Sequence, residues 1–323
     1  MDFSKTDIIV VNTVDQDFPL FRKFLIDNHH HFNKIHYVFS HNPISNLYSE
    51  KEYYNKYDYS ETIIRSMPFA NFLWVDQNEI HKWRSDSRVV NRRRWRKLRN
   101  YQPINKWKTD GRISDFRDQA TNAALDISKS EDVLFLEPDI LLGNIDYLLN
   151  LPNDLDMIAH CEDSSYRLSP SFIWTKRKYI DNTLRWFVAS GESLFDNIVK
   201  FTIGPDVNLG CGNFGPQSIP IKDRYHVKTE KIAADHFDKF SSEVFLQCQN
   251  PHFINHRSFD FFHMGGVYQT MWQMRAGNYK NVYDFTSLGP YLEKCLQSNV
   301  ALDPKYVDEI NTHLPNMRKH QPW

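Results

Sequence analysis

The stretch from Arg117 to Leu142, RDQATNAALDISKSEDVLFLEPDILL, constrains this chain more than any other. It predicts a helix, then a short apolar run at Asp132–Leu136 (DVLFL), then two carboxylates around a proline, Glu137-Pro138-Asp139. So short a run, bounded by polar and turn residues, suits a strand covered on both faces. Pro138 has no N–H to give a central ladder, so the strand ends there. In open α/β sheets ligands bind outside the carboxyl ends of the strands, which puts Glu137 and Asp139 at the mouth of a site. Two oxygen ligands one residue apart, held by a stiff proline, suit a hard cation such as Mg²⁺ or Mn²⁺ carrying a diphosphate.

Upstream, Asp7–Thr13 (DIIVVNT) predicts a first buried strand, followed by a helix opened by Pro19 with Phe18, Phe21, Leu25 and Asn28 on its inner side. Ile35–Ser40 and Phe72–Asp76 predict two more strands, with a Tyr-rich helix from about Ser49 to Ser66 between them. Strands alternating with helices point to a mainly parallel sheet in a Rossmann-like half. No G-x-G-x-x-G follows the first strand and no Walker-type loop occurs, so any phosphate needs another partner. The helix Ser114–Ser128 predicts an apolar face of Phe116, Ala120, Ala123 and Ile127, leaving Arg117 and Asn122 off that stripe.

Beyond the carboxylates, Asp156–His160 and Ser171–Thr175 read as strands and Asp181–Lys200 as a long helix. Ile203–Pro216, which includes Gly212 and Asn213, carries four of the eleven glycines and so reads as a loop of close backbone approach. Asp235–Gln249 predicts a helix, and Phe253–Phe262 an aromatic strand running into His263. The last fifty or so residues read as a covering tail. His29-His30-His31 is a polar helix end, because consecutive helical histidines cannot converge on one ion.

Aromatics at 15% and hydrophobics at 41% exclude a disordered chain. A net charge of −1 supplies no global attraction to nucleic acid or anionic lipid, so any such attraction must be local. Lys82–Arg112 is that local patch, with twelve basic residues against two acids and interleaved rings, among them Arg92, Arg93, Arg94, Trp95 and Arg96. Arginine beside exposed rings suits a polyanionic acceptor; the plainer reading is a solvated basic surface whose tryptophans pack inward. Four scattered cysteines without a C-x-x-C pair argue against a zinc knuckle or a disulfide framework. No membrane-length apolar stretch or signal-peptide pattern is present in the sequence, so we expect a cytoplasmic protein.

These residues together resemble nucleotide-sugar glycosyltransferases of the GT-A fold. In that family an Arg and Asn on a helix precede a strand ending in an Asp-x-Asp-type motif, and a metal-binding His follows much later. Here the motif is Glu137-Pro138-Asp139, and the resemblance covers roughly residues 7–266. It implies an α/β catalytic domain over 1–266, with a nucleotide-binding half to about 142 and an acceptor half after it. Residues 267–323 would form a C-terminal extension packed on that domain. It further implies a mixed, mainly parallel sheet flanked by helices, a nucleotide-sugar donor with UDP favoured, and Mn²⁺ or Mg²⁺ held by Asp139 and His263. Glu137 would touch the metal or the ribose, Asp76 the base or ribose, and Thr13 the base; Arg117 and Asn122 would line the donor site. Asp235, with Asp238 and Glu243 as substitutes, would be the base of an inverting enzyme. The acceptor would be a glycan, or a polyanion such as hydroxylated DNA held by Arg92–Arg96, with Gly212 and Asn213 in the wall.

Each residue also has a plainer reading. An acidic pair after a strand often caps the next helix, a lone His among phenylalanines is often a core imidazole, and Asp235 and Arg117 could be a cap and a surface cation. The competing class is a nucleic-acid-binding α/β module that uses 82–112 without catalysis. A nucleotidyltransferase would normally bring a Gly-rich loop after the first strand, and Thr13-Val14-Asp15 offers none.

Overall fold

The computed structural model describes residues 1–12, 16–40, 59–75, 121, 124–125, 127–162, 167–182, 248–254, 261–264, 270–271, 274–275, 277, 279 and 285–320. Its centre is a seven-stranded sheet of order β3-β2-β1-β4-β7-β6-β8. The strands are β1 (Thr6–Asn12), β2 (Lys34–Ser40), β3 (Asn71–Val75), β4 (Asp132–Leu136), β6 (Met157–Glu162), β7 (Arg167–Lys176) and β8 (Pro251–Ile254). β3, β2, β1 and β4 run parallel, with Ile8 of β1 between Ile35 and Leu134. β7 runs antiparallel to both β4 and β6, and β8 is parallel to β6. Only residues 163–166 separate β6 from β7, a connection too short for a parallel crossover, so this pair must reverse. The architecture is therefore α/β with a mixed, mostly parallel sheet, as the GT-A resemblance implies.

Both faces of the sheet are covered, as continuous apolar strands demand. On one face Ile8, Val10, Tyr37, Leu134 and Trp174 share a core with Phe21, Phe24 and Leu25 of α1 (Pro19–Asn28). The same core includes Leu288 and Leu292 of α5 (Phe285–Gln297) and Tyr306 and Ile310 of α6 (Pro304–His320). On the other face Ile9, Val11, Val133, Phe135 and Ile173 meet Ala124, Leu125 and Ile180, the last on α4 (Arg177–Asn182). The shorter helices α2 (Ser60–Ser66) and α3 (Asp146–Leu149) lie between strands in the sequence.

The C-terminal helix pair is bound by polar contacts as well. The buried Arg22 pairs with Asp17 at 2.9 Å and donates to the carbonyl of Ala301 at 2.7 Å. Tyr59 donates to Glu309 at 2.7 Å, and Thr62 to Asp303 at 2.6 Å. Arg275 joins Glu309 to Gln16.

At the amino edge of the sheet the buried Asp7 contacts His36 and accepts from Asn33 and Ser128. Burial acts to raise its pKa, but the bonds from His36, Ser128 and Asn33 outweigh it and hold the carboxyl below its ordinary value.

The structure corrects two local expectations. Of the face expected on the helix before β4, Ile127 is 45% exposed, while Thr121, Ala124, Leu125 and Ser128 are buried; Phe116, Ala120 and Ala123 lie outside the described residues. Two i, i+3, i+4 stripes compete in this sequence, and the small Ala124 with Leu125 is the one that meets Val133 and Phe135. The aromatic run expected as one strand over 253–262 instead ends one strand at Ile254 and begins another at Phe261, in a different sheet. Elsewhere helix begins at Arg177, ahead of the expected Asp181, and is described to Asn182, with the rest of the expected span to Lys200 outside the described residues; His29–His31 form a 3-10 turn after α1. The tail expectation resolves into α5 and α6.

Candidate active site

β4 delivers Glu137 to the carboxyl edge of the sheet, where its backbone N–H donates to the carbonyl of Ser171 at 3.1 Å. Pro138 is buried, and the chain then turns into β5 (Ile140–Leu142). β5 pairs antiparallel with β9 (Phe261–His263), with Ile140 opposite His263. The N–H of Met264 donates to the carbonyl of Asp139 at 3.0 Å and continues that pairing. A small ribbon apart from the main sheet thus carries the distant histidine back to the two carboxylates.

The result is a three-sided cluster. His263 Nε2 lies 3.6 Å from Glu137 Oε2 and 3.7 Å from Asp139 Oδ2. One ligand atom from each of the three lies within 4.8 Å of the others, and all three side chains are partly exposed. In an octahedral shell with bonds of about 2.1 Å, neighbouring ligand atoms stand roughly 3 Å apart, so modest side-chain adjustment would close this set around one hard cation. Two carboxylates and an imidazole suit Mn²⁺ or Mg²⁺, and the exposed side leaves room for water or phosphate oxygens.

The plainer readings do not fit here. Glu137 and Asp139 precede a strand, and the next helix, α3, is preceded by Ile145, so the pair caps no helix. His263 faces the carboxylates from a partly exposed position, unlike a core imidazole.

One supporting residue was not anticipated from sequence. His160, buried near the end of β6, lies edge-on to His263 with ring centroids 5.9 Å apart and packs on Phe261 at 4.4 Å. Its Nδ1 meets Ser171 Oγ at 2.8 Å, while the carbonyl of Ser171 holds Glu137. The β6–β7 register slips between Ala159 and His160, where the proline of Ser169-Pro170-Ser171 has no N–H for a ladder. The slip brings Ser171 under both groups. A histidine near a strand's carboxyl end was the available signal.

Of the other expected site residues, Thr13, Asp76, Arg92, Arg93, Arg94, Trp95, Arg96, Arg117, Asn122, Gly212, Asn213, Asp235, Asp238 and Glu243 lie outside the described residues. β1 and β3, the strands that lead into Thr13 and Asp76, run parallel to β4 and end at the same edge as Glu137. At that edge Asn12 donates to the carbonyl of Gln16 at 3.0 Å and to the Tyr37 hydroxyl at 3.1 Å, which fixes the strand's exit.

No family model and no curated protein matches the chain. Solved glycosyltransferases do. A mannosyltransferase, PcManGT from Pyrobaculum calidifontis in complex with GDP-Man and Mn²⁺, matches over 98% of this chain and 74% of its own, with 11% identity and a TM-score of 0.34. The glycosyltransferase GlyE of Streptococcus pneumoniae TIGR4 matches over 96% of this chain and 63% of its own, with 9% identity and a TM-score of 0.35. The galactosyltransferase LgtC, in complex with donor and acceptor sugar analogues, matches over 78% and 74%, with 10% identity and a TM-score of 0.30. These likenesses are too distant to transfer an activity; the sheet order and the triad of this chain must carry it.

Proposed function

We propose that the chain is a metal-dependent glycosyltransferase of the GT-A type, moving a sugar from a nucleoside diphosphate, with UDP favoured, to an acceptor hydroxyl. The observation that carries the reading is the convergence of Glu137, Asp139 and His263 at the carboxyl end of β4. Asp139 and His263 would hold Mn²⁺ or Mg²⁺, with Glu137 as a third ligand or as a partner of the ribose. When bound, the ion supplies positive charge against the leaving diphosphate.

In the reaction the acceptor oxygen bonds to the anomeric carbon, the bond from that carbon to the phosphate oxygen breaks, and the acceptor proton must be taken up. Asp235 is the base we assign in an inverting enzyme, with Asp238 and Glu243 as substitutes; in a retaining one the leaving phosphate takes the proton. Thr13 and Asp76 are assigned to base and ribose, and Arg117 and Asn122 to the donor. Arg92, Arg93, Arg94, Trp95, Arg96, Gly212 and Asn213 are assigned to the acceptor, which the arginines suit if it is polyanionic. Among the described residues no helix is long and apolar enough to cross a membrane.

The test is transfer and donor binding in Asp235→Asn. Retained donor binding with transfer lost supports an inverting enzyme with this base, whereas retained transfer moves the base or favours retention. Acceptor affinity measured against salt reads the basic segment, since phosphate contacts make it fall steeply and a neutral glycan leaves it flat.

A further inference from the structure

Successive side chains of a strand point to opposite faces. Where His263 turns to the carboxylates, Phe262 turns the other way, into an open groove of about 1040 Å³ between α1, the β5–β9 ribbon and the end of α5. Phe262 is 44% exposed, a large ring that the described residues leave partly open. Leu141 and Leu142 extend this apolar floor. The volume lies just above the roughly 300–1,000 Å³ usual for small-molecule sites.

The described residues of the rim are polar and carry little net charge. Lys23 is neutralised by Asp27 one helical turn on, at 2.5 Å. Among the described residues of the lining Lys294 is the remaining charged one, and it sits in the last turn of α5, where the partial negative charge of the helix end opposes its own. Asn28, Gln297 and Asn299 add amides that both donate and accept. These described residues suit a ligand that is met by amides and an apolar ring better than a polyanion, which needs a cluster of cations.

We propose that this groove binds a neutral oligosaccharide. A pyranose has an apolar C–H face, which the exposed Phe262 ring can cover, and a belt of hydroxyls, which the rim amides can meet. The ligand would lie against the same ribbon that carries His263, on its reverse side. The proposal goes beyond the transfer reaction and stands apart from the cation site.

The experiment is an array of neutral and acidic oligosaccharides probed with the full chain, then calorimetry with the neutral glycan retained best. Two variants are compared. Phe262→Ala removes the platform, and Gln297→Trp fills the groove from an exposed position on α5, away from the ribbon. The wild type should bind neutral glycans, and each variant should bind about fivefold more weakly or worse. No neutral glycan bound by the wild type, acidic glycans alone retained, or wild-type affinity kept by both variants would overturn the proposal. Mn²⁺ binding is measured on the same samples; its absence from a wild type that still binds glycan through Phe262 would sink the transferase reading and leave the groove standing.

Discussion

Asp139 and His263 are joined twice, once through side chains 3.7 Å apart and once through the backbone, where the N–H beyond His263 meets the carbonyl of Asp139 at 3.0 Å. The double tie matters because the two lie far apart in the sequence. Without the β5–β9 pairing the imidazole would have no fixed position relative to the carboxylates, and a cation would bear the cost of assembling its own site.

His263→Ala should therefore lower Mn²⁺ affinity by about tenfold or more while leaving the metal-free melting temperature nearly unchanged, since the side chain is partly exposed. Calorimetric titration with Mn²⁺ beside a thermal melt checks both. A large loss of stability without metal would instead make His263 a structural residue.

His160→Ala should act on the same affinity from a distance. The variant loses the ring beside His263 and the contact to Ser171, and outer-shell changes of this kind cost about 10–100-fold in metal affinity. Because His160 is buried, a melt must accompany the titration. Unchanged Mn²⁺ binding in a folded variant would show that His160 only fills space.

Asp132 gives a pH signature. Burial pushes its carboxyl up to about 6, and the ammonium of Lys176 offsets this only in part, being engaged with Asp156 at 2.8 Å. The folded state thus holds a proton that the unfolded chain has lost, so this group's contribution falls as pH rises from about 4 to 6 and the penalty persists above that. Asp132→Asn should melt about 2 °C higher than wild type at pH 7, a figure discounted for the partial exposure of Asp132, with the gap closing near pH 4. A gap independent of pH would contradict the assignment.

Arg22→Ala should destabilise the fold by about 3–5 kcal/mol, because it strands Asp17 as a buried charge and frees the carbonyl of Ala301. Urea unfolding measures it. A loss below about 1 kcal/mol would mean that this pair is not what holds the C-terminal segment on the sheet.

Much of this was legible in the sequence. Asp132–Leu136 declares a buried strand by its unbroken apolar run, and Pro138 fixes where it must end, so the place of Glu137 and Asp139 follows from local chemistry. His263 could be suspected from order along the chain. What brings it home could not, because β5 and β9 are three residues each and pair only through tertiary structure. The same holds for Ile127, where two helical stripes are locally equivalent and the sheet beneath decides. The slip at Pro170 that seats Ser171 under Glu137 and His160 depends on partners from three strands, and no single window of sequence contains them.

The most direct measurement is calorimetric binding of UDP, GDP and CDP, each with and without Mn²⁺, to the wild type and to Asp139→Ala. The proposed function predicts that one nucleotide, UDP by preference, binds the wild type only with Mn²⁺ and fails to bind Asp139→Ala. No nucleotide binding under any condition, together with tight and salt-sensitive binding of DNA, would contradict it and make the basic segment the working part of the chain.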